Sequence, residues 1–423
     1  MSRGQPLSLR RLVVGSTVSD VNPPRVALGT VLVVTMASAT FGFAVFGVLA
    51  SELISHLGIE RWQLGMLVSV ATLGGGALSP AIGKWVDEIG GRRAVTTTLV
   101  LSAVVLVTLG VAPEFSLVVG AAFLTGLATA ISNPATNKLI SVETEPGRQG
   151  FIVGVKQTGS LVSAAIGGLF LPLFTDWWGW RWAVVAFAAV PLALGVPSMV
   201  RGVRPESAAP VFPEIGRKNR PGPTMDRLPG WIYRLTIYSF LMGAAITAVL
   251  TYLPLYAQEI LGMTQGEAGR ALSISGWVGI AGLVGWTRLA EGRFGAVRSL
   301  MVIACLGAGL GLVLAYGPQL GTWSIWLAGF LTGLSGSAWN AVCMLVAIQG
   351  LSGSLTGKGS GVMLAGALGG GGVGAPLLGW SVDHLGVYRP GWLGAAGFFV
   401  AALLVAATVR GERGLTRGVR RGG

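Results

Sequence analysis

The stretch Phe123-Leu124-Thr125-Gly126-Leu127 occurs a second time as Phe330-Leu331-Thr332-Gly333-Leu334, a shift of 207 residues (330 − 123). Six further residues repeat at this shift: Asn133 on Asn340, Gly154 on Gly361, Gly159 on Gly366, Gly167 on Gly374, Asp176 on Asp383 and Gly179 on Gly386. A shift of 204 residues (291 − 87) pairs Gly65 with Gly269, Ser69 with Ser273, Gly75 with Gly279, Asp87 with Glu291 and Gly91 with Gly295. The order of these matches indicates two copies of one half.

Composition places both halves in a membrane. The chain is 52% hydrophobic and 11% charged, whereas a soluble protein has roughly 25% charged residues. Its apolar residues form twelve runs of about 18 to 27 residues, the length that crosses hydrocarbon as a helix. The predicted spans are 26–52, 64–83, 94–112, 116–139, 151–175, 181–200, 232–256, 269–290, 299–316, 322–348, 359–381 and 391–409. We therefore predict an all-α integral membrane protein with two pseudo-symmetric six-helix bundles.

One stretch between the halves is rich in proline and basic residues, which forbids a packed core there. The predicted division is an N-terminal segment 1–25, a six-helix bundle 26–201, a linker 202–230, a second six-helix bundle 231–409 and a basic tail 410–423.

The net charge of +13 does not indicate a nucleic-acid partner, because the basic residues are placed unevenly between the two sides. With a cytoplasmic N-terminus, the outer loops hold 4 of the 30 Lys and Arg residues, namely Arg61, Arg181, Arg270 and Arg389. This positive-inside asymmetry predicts cytoplasmic termini, linker and tail. We expect a monomer in the lipid bilayer of a bacterial inner membrane. The basic tail serves topology or, as the alternative, contacts anionic lipid.

The sharpest local motif follows the second span, Gly83-Lys84-Trp85-Val86-Asp87-Glu88-Ile89-Gly90-Gly91-Arg92-Arg93. It resembles the signature loop of the major facilitator superfamily, although Glu88 and Gly91 stand where that loop often has arginines. A degraded counterpart in the second half keeps Glu291, Arg293 and Gly295. With twelve spans and a central linker, the resemblance covers nearly the whole chain. It implies two helix bundles that expose a small solute alternately to each side.

By that resemblance, Asp87 with Arg92 or Arg93 would latch the cytoplasmic ends of the two halves together. The alternative is a static turn, for which Gly83 and Gly90 supply backbone freedom. The predicted gating loop is thus Gly83, Asp87, Gly90, Arg92, Arg93, Glu291 and Arg293.

Polar residues inside the apolar runs are the candidates for binding substrate, because they are costly in lipid. Lys156 and Gln157 lie a few residues inside the fifth span. Lys156 either snorkels to the cytoplasmic surface or projects into a central cavity and attracts an anion. Asn133 and Asn137 share one face of the fourth span, at i and i+4. The acidic residues all fall at span ends or in loops, so no buried carboxylate proton relay is visible.

The second half contributes Asn340, which matches Asn133 in the repeat, and its neighbour Trp339. Thr251 and Tyr252 in the seventh span complete the predicted binding residues. Hydrogen bonding between helices is the alternative role for the asparagines and threonines.

We predict a secondary transporter, preferably for a small organic anion, coupled or not to a proton or ion. The fourth span lacks a mid-helix arginine and the fifth lacks a proline after Gly159, which weakens the resemblance to drug–proton antiporters. The segments around Asn133 and Lys156 are more similar to a branch near the cyanate-type permeases. Efflux of lipophilic compounds is the alternative within transport.

A polytopic membrane enzyme is the alternative of another class. We expect no enzyme, because the two histidines, His56 and His384, lie on separate loops without an obvious catalytic partner. We likewise expect no cofactor and no metal. Cys305 and Cys343 fit small core positions and suggest no disulfide framework.

Overall fold

The computed structural model describes residues 23–144, 149–195, 228–351 and 353–409, and these residues form helices without a β-strand among them. The first six spans are α1 (Pro23–Val48, continued by a short helix at Ala50–Leu57), α2 (Arg61–Ile89), α3 (Gly91–Val111), α4 (Phe115–Glu143), α5 (Gln149–Trp178) and α6 (Trp180–Phe187, followed by a π-helical turn at Pro191–Gly195). The all-α prediction is confirmed.

The second six spans repeat this order. They are α7 (Gly230–Leu261), α8 (Gln265–Glu291), α9 (Ala296–Ala315, followed by a short helix at Gly317–Leu320), α10 (in two pieces, Trp323–Gly336 and Trp339–Gly350), α11 (Gly353–Leu385) and α12 (Arg389–Val409). Each predicted span thus overlaps a helix, and residues 196–200 of the sixth predicted span lie outside the described residues. We name the two ends of the bundle after α2, which runs from the Arg61 end to the Asp87 end.

Among the described residues, ten helices are long and apolar enough to cross a membrane. Of the remaining two spans, α6 is described only as a shorter apolar helix, Trp180–Ala193. Helix α8 is 27 residues long, but several glycines and polar residues dilute its apolar character. Residues 1–22, 196–227 and 410–423 lie outside the described residues and include most of the predicted segments 1–25, 202–230 and 410–423, so the predicted domain bounds stay a prediction.

The predicted span 322–348 matches one apolar span of the structure, Trp323–Ala347, which is interrupted locally within α10. The helix breaks after Gly336, where Ser337 donates a hydrogen bond of 2.9 Å to Gly333 O and one of 3.1 Å to Gly279 O on α8. A serine hydroxyl that competes for backbone carbonyls favours such breaks. Hydropathy alone does not report this kind of contact.

The repeat extends to the backbone conformation of the loops. Gly58 and Gly262, at equivalent helix ends, have φ of +62° and +63°. Gly179 and Gly386 have φ of +79° and +70° at the next pair of equivalent turns. Glycine adopts these left-handed conformations without the steric cost of a side chain. The connections between helices therefore have the same backbone conformation at matching places of the two sets.

Helix packing repeats as well. In the first set α1 packs on α5 and α2 on α4, and in the second set α7 packs on α11 and α8 on α10. Two seams join the sets, α2 against α11 and α5 against α8. The repeat matches α2 with α8 and α5 with α11, so it also matches one seam with the other. Small residues at such seams let backbones approach closely, which is how helices associate in lipid.

The buried apolar core is shared at one end of the bundle and divided at the other. At the Arg61 end a single cluster combines residues of both sets, among them Phe46, Leu64, Tyr252 and Trp392. Toward the Asp87 end the core separates into one cluster of the first set, around Val86 and Leu139, and one of the second set, around Tyr238 and Phe399. Among the described residues, the buried apolar cluster that combines both halves therefore lies at the Arg61 end.

Candidate functional site

A polar cluster closes the Arg61 end of the bundle. The guanidinium of Arg61, at the start of α2, donates to Glu259 of α7 at 2.8 and 3.1 Å. It also donates to Asp383 of α11 at 3.3 Å. Among the described residues, Arg61 is thus the one cation that pairs with these two carboxylates of the opposite half. We call Arg61, Glu259, Asp383 and Tyr388 the gate cluster.

Neighbouring groups fix the gate cluster in place. Asp383 accepts the backbone N–H of Trp62 at 2.8 Å, at the exposed N-terminus of α2 where a carboxylate is favoured. Tyr388 donates to Glu259 at 2.6 Å. Burial and the neighbouring Glu259 carboxylate raise the pKa of the Tyr388 phenol, so it remains a hydrogen-bond donor. Every charged member of the gate cluster therefore has a partner across the halves or beside it.

The seam between α2 and α11 opens steadily away from this cluster. A Cβ atom added at Gly65 would lie 2.5 Å from the backbone nitrogen of Pro376 and 2.6 Å from the carbonyl carbon of Ala375. Gly83 follows 18 residues later, five turns along the same face and about 27 Å away. A Cβ added there would meet nothing within 4 Å. Helices α2 and α11 therefore touch at the Arg61 end and diverge toward the Asp87 end.

The other seam shows the same asymmetry. Gly168 of α5 and Gly269 of α8 are so close that a Cβ on either would strike the carbonyl oxygen of the other. Farther along, a Cβ at Gly276 would lie 2.5 Å from Leu161 O. Gly154, 14 residues before Gly168 on α5, has open space at the corresponding position. The bundle is therefore closed at the Arg61 end and open at the Asp87 end.

A buried lysine lies toward the open Asp87 end of the bundle. Lys156 of α5 is 1% exposed, and its ammonium group is turned toward α4. It donates to Asn137 Oδ1 at 2.6 Å, to Thr136 Oγ1 at 3.0 Å, and to Asn133 Oδ1 and O at 3.3 and 3.4 Å. The i, i+4 spacing of Asn133 and Asn137 brings both amides to one ammonium group. We call these four residues the Lys156 pocket.

The ligands of Lys156 carry no formal charge. Within the described part of the chain no carboxylate lies within ion-pairing distance of its nitrogen. Asn133 and Asn137 are themselves exposed, so they form a cover between the buried ammonium and open space. A buried cation held by neutral dipoles alone is costly. The pocket is therefore suited to receive an anion.

The remaining predicted binding residues lie apart. The Oε1 atom of Gln157 is buried and has no hydrogen-bond partner among the described residues. Thr251 donates to Thr247 O within its own helix at 2.8 Å. Tyr252 donates to Arg61 O, so it belongs beside the gate cluster. Trp339 is buried in the core of the second half, and its neighbour Asn340 is half-buried.

The structure describes the predicted gating loop in one state, the one that is open at the Asp87 end. Asp87 is 81% exposed, and its ion-pair partner is Lys138 of α4 at 3.9 Å. Lys138 also donates to the Asp87 carbonyl at 2.7 Å, as a cation at the C-terminus of α2. Gly90 ends the helix with φ of +89°. The latch with Arg92 or Arg93 stays a prediction about the opposite state, as do Gly83 and the counterpart residues Glu291 and Arg293.

Sequence reasoning missed the gate cluster. The sequence places Arg61 in an outer loop and the acidic residues, Glu259 and Asp383 among them, at span ends or in loops, and it predicts no contact between them. The repeat holds a signal for one of them, because Asp383 lies 207 residues after Asp176 (383 − 176).

The fold is shared with solved transporter structures. An inward-facing, occupied structure of a bacterial homologue of the human lysosomal transporter Spinster aligns with a TM-score of 0.67 and 14% identity, over 93% of this chain and 97% of that chain. A mutant of the nucleoside transporter NupG aligns with a TM-score of 0.70 and 13% identity, over 90% of this chain and 99% of that one. At such low identity the likeness concerns the fold alone.

Two relatives are similar in sequence. The gentisate transporter of Corynebacterium glutamicum is 24% identical over 289 residues, 66% of this chain and 64% of the relative. The multidrug resistance protein MdtG of Yersinia enterocolitica is 25% identical over 253 residues, 59% of this chain and 60% of the relative. The matched region thus spans less than two thirds of either relative.

The family model described as "Major Facilitator Superfamily" matches residues 31–371, most of the chain. This confirms the resemblance drawn from the loop after α2 and from the duplicated halves. The chain belongs to the Major Facilitator Superfamily.

Proposed function

We propose that the protein is a secondary transporter that moves a small organic anion across the bacterial inner membrane by alternating access. Family membership, the two-fold repeat and a bundle closed at one end support this proposal. Transporters built from repeats bind substrate where the halves meet and rock around that site. The family favours this function over a membrane enzyme.

The Lys156 pocket carries the proposal for an anion. Ionisable residues at membrane depth mark substrate or ion pathways by default. Lys156 is buried, yet only neutral oxygens contact its ammonium group. A carboxylate that replaced Asn137 Oδ1 would supply the missing negative charge and form a charge-assisted hydrogen bond.

The two exposed asparagines give the pocket its entrance. When a ligand displaces the Oδ1 atoms of Asn133 and Asn137 from Lys156, the amide nitrogens of the two asparagines can donate to the carboxylate of that ligand. Gln157 follows Lys156 directly and brings a buried amide oxygen that lacks a partner among the described residues. Asn340, the repeat counterpart of Asn133, and Trp339 remain candidates on the opposite wall, as do Thr251 and Tyr252.

The similarity to a gentisate transporter agrees with an organic anion, since gentisate is a carboxylate. We further propose that the protein acts as a monomer with both termini in the cytoplasm. The Arg61 end then faces outward, and the described state is open to the cytoplasm. Asp87 with Arg92 or Arg93 would latch the Asp87 end in the opposite state.

Efflux of lipophilic compounds is the second candidate. It is favoured by the similarity to MdtG, a relative named for multidrug resistance. In that case Lys156 would serve packing between α4 and α5 and would not touch the substrate.

Thermal unfolding of the purified protein separates the two candidates. A ligand at 100 times its Kd stabilises the folded state by about 2.7 kcal/mol if it binds that state alone. We expect small carboxylates, gentisate among them, to raise the melting temperature of wild type and of Lys84→Met, an exposed control. The stabilisation should vanish in Lys156→Met. Lys156→Arg keeps the charge and controls for folding.

Two outcomes would overturn the anion proposal. One is stabilisation by lipophilic compounds alone, which selects efflux. The other is carboxylate stabilisation that persists at full size in Lys156→Met, which removes Lys156 from the site.

A further inference from the structure

The second half carries a counterpart of the Lys156 pocket in which most of the polar groups are replaced. At the shift of 207 residues that relates the halves, one asparagine is kept, since Asn133 matches Asn340. The other three positions change from polar to apolar, sulfur-containing side chains: Lys156 matches Met363, Thr136 matches Cys343 and Asn137 matches Met344. The repeat therefore places an apolar surface where the first half has its buried cation.

The same replacement extends along the neighbouring turn of α11. Gln157 and Ser160 of α5 match Leu364 and Ala367 at the shift of 207 residues. All five positions that are polar in the first half are thus apolar in the second. We call the second-half residues at these positions the apolar wall: Cys343, Met344, Met363, Leu364 and Ala367.

Leu364 borders the open space toward the Asp87 end. Its side chain is 39% exposed, and it lies three residues after Gly361, on the same helix face. A Cβ atom added at Gly361 would meet nothing within 4 Å. The same holds for Gly154, which lies three residues before Gln157. Leu364 and Gln157 therefore occupy equivalent places beside open space.

The apolar wall is anchored in the core of the second half. Met363 and Cys343 are 2% and 0% exposed and belong to one buried cluster, whereas Met344 is half-buried. Lys358, an exposed cation of α11, lies six residues before Leu364, about 9 Å nearer the Asp87 end. The wall itself therefore offers no charge to a ligand.

The Lys156 pocket and the apolar wall lie on opposite sides of the space between the halves. A two-fold repeat relates the halves about an axis that runs between them, so matched surfaces lie across that axis from each other. Helices α5 and α11 are matched in this way, and both border open space toward the Asp87 end. A ligand that reaches Lys156 with one end therefore presents its other end to the apolar wall.

We propose that the transported anion is an amphipathic carboxylate, with its carboxylate on the Lys156 pocket and its apolar body on the apolar wall. The inference rests on the proposed function and narrows its substrate class. Removal of apolar surface from water stabilises the bound ligand. A thioether such as that of Met344 also contacts aromatic rings favourably. A second charge at the far end of the ligand would lose its hydration against the wall without gaining a partner.

Three carboxylates separate the contributions of the two surfaces. Acetate carries the charge alone, benzoate adds a ring, and succinate adds a second charge. We expect the purified protein to bind benzoate more tightly than acetate by roughly tenfold or more, as burial of an aromatic ring predicts. Succinate should bind more weakly than benzoate. Isothermal titration calorimetry measures the three affinities.

Substitutions in the apolar wall introduce the residues of the first half. Leu364→Gln and Met344→Asn should each lower the ratio of benzoate affinity to acetate affinity severalfold. Leu364→Met keeps an apolar side chain, so it should keep this ratio, and it controls for folding. Lys156→Met should abolish binding of all three carboxylates.

Equal affinities of wild type for benzoate and acetate would overturn the proposal, as would an unchanged affinity ratio in both Leu364→Gln and Met344→Asn. In either case, carboxylate binding that is lost in Lys156→Met leaves the proposed function standing without the apolar wall. Carboxylate binding that persists in Lys156→Met, or that is absent from wild type, contradicts the proposed function itself.

Discussion

Replacing Gly65 by alanine should shift the protein out of the described state. The added methyl group would lie 2.5 Å from the Pro376 nitrogen and 2.6 Å from the Ala375 carbonyl carbon. Both neighbours are backbone atoms, so the contact is relieved only if α2 and α11 separate. Overpacking of this kind costs about 1–3 kcal/mol.

That cost applies only to the state in which the Arg61 end is closed. A difference of 1–3 kcal/mol corresponds to roughly a 5- to 150-fold change in an equilibrium. The gain in helix propensity from glycine to alanine, about 1 kcal/mol, is common to both states and cancels. Gly65→Ala should therefore raise the ratio of open to closed protein by a factor within that range.

Gly83 provides the matched control. It lies on the same face of α2, and a methyl group there meets nothing within 4 Å. Spin labels on Ser116→Cys of α4 and Trp323→Cys of α10, both exposed at the Arg61 end, report the separation of the halves by double electron–electron resonance after Cys305→Ala and Cys343→Ala. We expect Gly65→Ala to gain a longer distance and Gly83→Ala to keep the short one. Equal distance distributions for the two variants would refute the assignment of the closed seam.

Three further predictions concern single contacts. Gln265, which matches Arg61 at the shift of 204 residues (265 − 61), has a buried amide nitrogen without a partner among the described residues. Since Asp176 is the repeat counterpart of Asp383, we expect Gln265→Arg to pair with Asp176, to stabilise the closed state by about 0.2–1 kcal/mol and to raise the melting temperature. Lys138→Met removes the cation from the C-terminus of α2 and should cost about 0.3–1 kcal/mol in thermal unfolding, with faster amide exchange in the loop after α2, whereas Lys84→Met should change neither. Tyr388→Phe removes a 2.6 Å hydrogen bond to the Glu259 carboxylate within the second half and should lower the free energy of unfolding by about 1.5–3 kcal/mol; an unchanged melting temperature would contradict a stabilising role for this bond.

Hydropathy predicted the helices because lipid leaves an apolar run of this length no other backbone structure. It could not predict the break after Gly336, because that depends on a hydroxyl of Ser337 and a carbonyl of a neighbouring helix. The shorter described helix of α6 ends in a π-helical turn that begins at Pro191, which a window average also conceals.

The Lys156 pocket could be predicted from the sequence, whereas the gate cluster could not. Asn133 and Asn137 share a helix face by spacing alone, and Lys156 lies at a similar depth in the next span. Arg61, in contrast, meets Glu259 and Asp383 across 198 and 322 residues of chain. Such pairs follow from the docking of the two halves. In the sequence, only the repeated acid Asp383 indicates them.

Uptake into proteoliposomes tests the central claim most directly. Wild type, Lys156→Met and Lys84→Met are reconstituted at equal density and supplied with labelled small carboxylates or lipophilic compounds. We predict saturable carboxylate uptake in wild type and Lys84→Met, and its loss in Lys156→Met. Transport of lipophilic compounds that proceeds equally in all three proteins, without carboxylate uptake in any, would contradict the account.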